Sequence, residues 1–165
     1  MTQIRHWIMM LAAAPGLAAA TPAGAQMIDA RTPERIETLL AADGWTTALT
    51  AEAGRDPYIW AERRGLRFVV AFNNCTDGRR CRTLQFLLGV EGAKTLTLDK
   101  LNEWNRDQRF ARAYRDEAGD PVLAMDLDLD FKGLPRANVE ETIRTWTGLV
   151  DSFYRFIVAA GAAGR

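Results

Sequence analysis

An α+β fold, an antiparallel sheet flanked by helices in the order α-β-β-β-β-α-β-β-α, is what this sequence predicts. Apolar residues recur at helical spacing in three separated stretches. The runs between them are strand-like and joined by short connections such as "RRG" at 63–65, which suits hairpins. No internal repeat interrupts this order, and consecutive hairpins imply antiparallel pairing.

Read from the start, residues 1–25 place Arg5 beside His6 and Trp7, then an apolar run from Ile8 to Ala14, then small residues ending in Ala23-Gly24-Ala25. This pattern predicts a secretory signal peptide cleaved before Gln26, and hence a periplasmic or secreted protein. The run is too short for a membrane-spanning helix of about 20 residues, so no stable membrane insertion is expected after cleavage. No cysteine follows the boundary closely, which argues against a lipoprotein. A single domain is expected over 26–158, with a flexible tail at 159–165.

The first helix opens at "TPERIETLLAADGW", with Thr32 at the N-cap, a proline at the first helical position and a close at Gly44. Ile36, Leu39 and Leu40 line one face. Three strands follow at Thr46–Thr50, Tyr58–Arg63 and Leu66–Phe72. A fourth, in "CRTLQFLLGV", is apolar without break from Phe86 to Val90, which predicts burial on both faces or a central place in the sheet. Thr97 can cap a second helix over Leu98–Asp107 that turns Leu98, Leu101 and Trp104 to one side. "RFARAYRD" and "PVLAMDLDLD" flank "EAGD" as a hairpin, with Phe110, Arg112 and Tyr114 on one strand face and Ala111, Ala113 and Arg115 on the other. The last and longest helix follows "FKGLPRA". Asn138 to Glu141 resembles a capping box, and Val139, Ile143, Trp146, Val150, Phe153 and Ile157 are spaced to cover a sheet.

Composition then removes function classes. Loss of the leader takes away one charged residue, Arg5, so the net charge moves only from 0 to −1. Neither nucleic acid nor anionic lipid finds an excess of clustered Lys and Arg here. The leader also holds the only histidine, His6, and Ser152 is the one serine. A chain without imidazole has no Ser-His-Asp or Cys-His machinery and lacks the commonest zinc ligand, leaving acid–base work to carboxylates, lysine or tyrosine.

Cys75 and Cys81, the only cysteines, flank an Asp77-Gly78 turn signal in "NNCTDGRRC". In an exported chain they predict a structural disulfide across a loop, since the spacing is not the Cys-x-x-Cys of redox pairs.

"AMDLDLD" invites a calcium reading through Asp126, Asp128 and Asp130. An EF-hand loop would however place Phe131 where glycine is required and Ala137 where a bidentate glutamate is required. Strand alternation accounts for the pattern better, with Met125, Leu127 and Leu129 toward the core and the aspartates away. Carboxylate pairs alone can run glycoside hydrolysis, which keeps a carboxylate-dependent hydrolase or envelope-glycan binder using acids near Asp116 to Asp130 as the alternative function. Four tryptophans remain after the leader, and three of them sit at apolar periodic positions that predict core packing.

Asn102, Glu103, Asn105, Arg106 and Arg109 cluster around the end of the second helix. There the arginines suit the negative end of the helix dipole, and Asn105 or a neighbour is placed to satisfy orphan carbonyls. The longer stretch "LNEWNRDQRFARAYRDEAGDPVLAMDLDL" resembles the signature of the YbjN-domain family of bacterial proteins, and the resemblance spans roughly Asp29 to Ile157. It implies a fold similar to type III secretion chaperones, often dimeric, and a role as a sensory transduction regulator. It implies no cofactor and no catalytic residue. The residues that carry the signature are Asn102, Trp104, Asn105, Arg109, Phe110, Arg112, Tyr114, Asp116, Gly119, Asp120 and Asp126, with no role attached to any of them. The leader and the cysteine pair depart from the cytoplasmic, chaperone-like picture. The expected function is that of an exported, non-enzymatic protein binding a protein or peptide partner, or a second copy of itself.

Overall fold

The computed structural model describes residues 26–161; the predicted leader at 1–25 and residues 162–165 of the predicted tail lie outside the described residues. In chain order the elements are β1 (Met27–Ile28), α1 (Pro33–Ala42), β2 (Thr46–Thr50), β3 (Tyr58–Arg63), β4 (Leu66–Asn73), β5 (Thr83–Gly89), α2 (Leu98–Asp107), β6 (Arg112–Arg115), β7 (Pro121–Asp128), β8 (Leu134–Pro135) and α3 (Arg136–Ala159). The predicted α+β class and element order hold, with β1 and β8 added. These two short strands pair with each other apart from the main sheet, Ile28 opposite Leu134. Two residues are too few to show an alternating period, so the sequence gives no sign of them.

The main sheet has six antiparallel strands in the order β2-β3-β4-β5-β7-β6. The β3–β4 turn places Arg64 and Gly65 at φ 52° and 77°, the left-handed pair that a two-residue hairpin requires. Its register sets one face as core: Ile59, Phe68, Val70, Phe72, Leu84, Phe86, Leu88, Leu123 and Met125 are buried. Onto this face α3 lays Val139, Ile143, Trp146, Val150, Phe153 and Ile157, all buried as their spacing predicts. Trp146 meets Phe68 and Phe86 with ring centroids 5.6 Å apart, and Trp104 of α2 meets Phe153 at 5.0 Å. Trp45, just after α1, packs edge-on to Phe68 at 4.6 Å and donates its indole N–H to Thr147 of α3 at 2.9 Å. Thus all three helices join one core on one side of the sheet.

Several local expectations need correction. The central place predicted for β5 is found, but burial on both faces belongs to Pro121–Met125 of β7. There the small side chains of Val122 and Ala124 lie opposite Tyr114 and Arg112, whose longer side chains cover them. Leu98 is 62% exposed while Leu101 and Trp104 are buried. Steps of three residues fall short of a 3.6-residue turn by about 60° each, so Leu98 is rotated roughly 120° away from Trp104. Phe110 stands outside β6 at φ 72° and is 68% exposed, so it shares no strand face with Arg112 and Tyr114.

No capping box starts α3. The helix begins at Arg136, and Asn138 already lies inside it, its carbonyl accepting from the Thr142 hydroxyl at 2.9 Å. The β1–β8 pairing fixes the chain's entry instead, and the Arg136 N–H donates to the Gln26 carbonyl at 2.8 Å. At its other end α3 runs through Ala159, past the predicted start of the tail. Thr32 occupies the N-cap of α1 without a side-chain bond, whereas Thr97 caps α2 by accepting from the Lys100 N–H.

Candidate functional site

With every helix on one side, the other face of the sheet is left uncovered. One row crosses all six strands there, Ala48, Trp60, Val69, Leu87, Ala124 and Arg112, each opposite the next in register. A neighbouring row runs from Gly89 through Val122 to Tyr114. Tyr58 and Trp60 pack edge-on at 6.4 Å, and both remain more than a third exposed. The Arg67 guanidinium stacks on the Trp60 ring at 4.0 Å. A cavity of about 600 Å³ opens on this face. Trp60 and Tyr114 line it above Val69, Leu87, Gly89 and Val122, and it runs to the sheet end bearing Glu91, Asp116, Asp120 and Tyr154.

A helix side chain bonds to the backbone of each edge strand. On β2 the Glu37 carboxylate of α1 accepts the Leu49 N–H at 3.0 Å. On β6 the Asn105 side chain of α2 donates to the Ala113 carbonyl at 3.0 Å and accepts the Ala113 N–H at 2.7 Å. Asn105 therefore mimics a strand instead of capping its own helix, whose C-cap is Gln108 with its N–H on the Trp104 carbonyl.

The signature residues divide between scaffold and surface. Trp104 is core, while Asn102 is exposed on α2. Arg109 lies over the Phe110 ring at 4.9 Å, both exposed. Asp116, Gly119 and Asp120 build the β6–β7 turn: Gly119 sits at φ 86°, and the Asp116 carboxylate accepts the Asp120 N–H at 2.8 Å. Asp120, nearly buried, accepts the Gly92 N–H at 2.9 Å and has the Lys94 ammonium 4.0 Å away, tying the β5–α2 loop to the turn. Asp126 takes the Gln85 side-chain amide at 2.7 Å and pairs with Arg112. Asp128 and Asp130 accept the N–H groups of Asp130 and Phe131. Of the signature set, Tyr114, Asp116 and Asp120 meet at the cavity.

Cys75 and Cys81 form the predicted disulfide, and the turn between them packs Gly78 against the Arg55 backbone. Trp45, Trp104 and Trp146 are core, which leaves Trp60 as the exposed one of the four. Sequence reasoning missed Trp60, Val69, Leu87 and Gly89 as a surface. The available signal was phase, because Trp60 falls between Ile59 and Ala61, both fully buried on the opposite face. Among the described residues no three His, Cys, Asp or Glu side chains gather as a metal site, and no helix is long and apolar enough to cross a membrane.

A family model described as "Putative bacterial sensory transduction regulator" matches residues 32–158. No curated protein and no solved structure matches the chain.

Proposed function

The chain belongs to the YbjN family, and from that premise we propose that it is an exported, non-enzymatic regulator that binds a protein or peptide on its uncovered sheet face. The observation that carries this reading is the aromatic and apolar row through exposed Trp60 and half-buried Val69 and Leu87 on the sheet face opposite the helices. An apolar face left open to water marks an interaction surface. The Glu37 and Asn105 side chains hinder strand addition at the two edges, which favours docking on the face.

In the span of the carboxylate-hydrolase alternative, Asp120 and Asp126 are engaged by both hydrogen bonds and cations, and Asp128 and Asp130 accept backbone N–H groups, which leaves Asp116 and Glu117 without a cationic partner among the described residues. Export is supported by the leader pattern and the cysteine pair. The fold agrees with cleavage before Gln26, because a later cut would remove the carbonyl that holds Arg136 and then the buried Ile28. Amino-terminal sequencing of protein from the periplasm or medium should read from Gln26; recovery of uncleaved protein from the cytoplasm would refute export.

A photo-crosslinking amino acid at Tyr58 of the expressed full chain should give discrete adducts in living cells. The same group at Arg144, on the outer side of α3, should not, and Trp60→Ala should remove the Tyr58 adducts. Equal adducts at both positions, or none at Tyr58, would sink the docking face. A second copy is one admissible partner. Light scattering at high micromolar concentration should then give a dimer mass that Trp60→Glu returns to monomer, whereas monomer at every concentration removes self-pairing.

A further inference from the structure

We propose that the groove between Trp60 and Tyr114 is a receptor for a basic side chain, and that its occupant is an extended partner segment in which a lysine or arginine is flanked by apolar residues. This rests on the uncovered face being the docking surface, and it adds the chemistry of the occupant.

Shape comes first. Val69, Leu87 and Val122 make an apolar floor that is interrupted at Gly89, where the strand presents no side chain and a built Cβ would meet no atom within 4 Å. A cavity of about 600 Å³ falls within the range of pockets that hold small ligands or a few side chains. Trp60 and Tyr114 wall it with exposed rings, and aromatic rings accept both aliphatic chains and cations. Arg67 stacked on Trp60 shows that wall already holding a cation.

Charge then gives the groove a direction. Arg67 places one positive charge on the Trp60 side. At the far end, the chain leaving β5, the end of β6 and the start of β7 bring Glu91, Asp116 and Asp120 to the rim. Lys94 offsets Asp120. Glu91 makes no hydrogen bond or ion pair among the described residues, and Asp116 accepts one backbone N–H but has no cationic partner. Two uncompensated, exposed carboxylates thus outnumber one cation, an attraction for a positive guest that salt screens. A basic side chain would lay its methylenes along the floor and its charge at the acidic rim, while Arg67 repels it from the other wall.

The test uses protein purified after expression of the whole chain and two probes, acetyl-Val-Lys-Val-Lys-Val-amide and its Glu counterpart, followed by calorimetry and amide chemical shifts. The Lys peptide should bind at least tenfold tighter than the Glu peptide, shift Val69, Leu87 and Val122, and weaken as salt is raised. Gly89→Phe fills the floor from a backbone position that tolerates a side chain; it should keep the melting temperature and lose at least tenfold in affinity. Glu91→Lys, on an exposed side chain remote from the core, should do the same should Gly89→Phe fail to fold. Equal binding of the two peptides, binding of neither, or no change in Glu91→Lys would overturn the proposal. If crosslinking at Tyr58 persists in any of those cases, the docking face stands and only the basic occupant is lost. Failure of both experiments removes the docking face as well.

Discussion

At Asn105 a side-chain amide takes the place that a further strand would occupy, satisfying the N–H and the carbonyl of Ala113. Asn105→Ala should cost about 1–2 kcal/mol, two part-buried hydrogen bonds, read as a lowered urea midpoint at unchanged m-value. This role was illegible in the sequence, because it depends on the α2–β6 loop folding the chain back so that residue 105 meets residue 113. Trp104, its neighbour, was legible, since apolar spacing alone placed it in the core. Trp60 shows the intermediate case: its phase was readable, but which face the helices would leave bare was not. Glycines offer a matched pair of tests. Gly65 and Gly78 both have φ near 70°, so alanine at either pays backbone strain of about 1 kcal/mol. Only Gly78 would also drive its new Cβ into the Arg55 carbonyl. Gly78→Ala should therefore lower the melting temperature well beyond Gly65→Ala, and equal losses would show that the Arg55 loop yields freely.

Among the elements, hairpins and long amphipathic helices were the readable ones. β3, β5, α1 and α2 begin and end close to where turn signals and periodicity place them. The start of α3 was misplaced because a local pattern, Asn138 to Glu141, competes with a tertiary one, the β1–β8 ladder that delivers the Gln26 carbonyl to Arg136. Local rules do not see a partner 110 residues away. The disulfide acts at this scale too, closing the loop between β4 and β5 beside Gly78. Cys75→Ala should reduce unfolding free energy by about 2 kcal/mol without loss of the fold, because the short loop is released while the core remains packed. Chemical denaturation with and without a thiol reductant provides the check: the native protein should fall to the variant's stability on reduction, and the variant should not respond.

Across the described residues the arrangement is one-sided, with three helices on one face, a helix side chain bonded to each edge strand and one face open to solvent. Removing both edge devices together, Glu37→Ala with Asn105→Ala, should give more concentration-dependent oligomers by light scattering than the native protein gives. Such a variant remaining no more associated than the native protein would show that the edges are protected by something other than these two side chains. The ladder between Ile28 and Leu134 carries a further consequence. It joins the beginning of the domain to the threshold of its final helix, so closure must await the delivery of almost every residue between them. A nascent polypeptide of this design leaves that one latch open until synthesis is nearly complete.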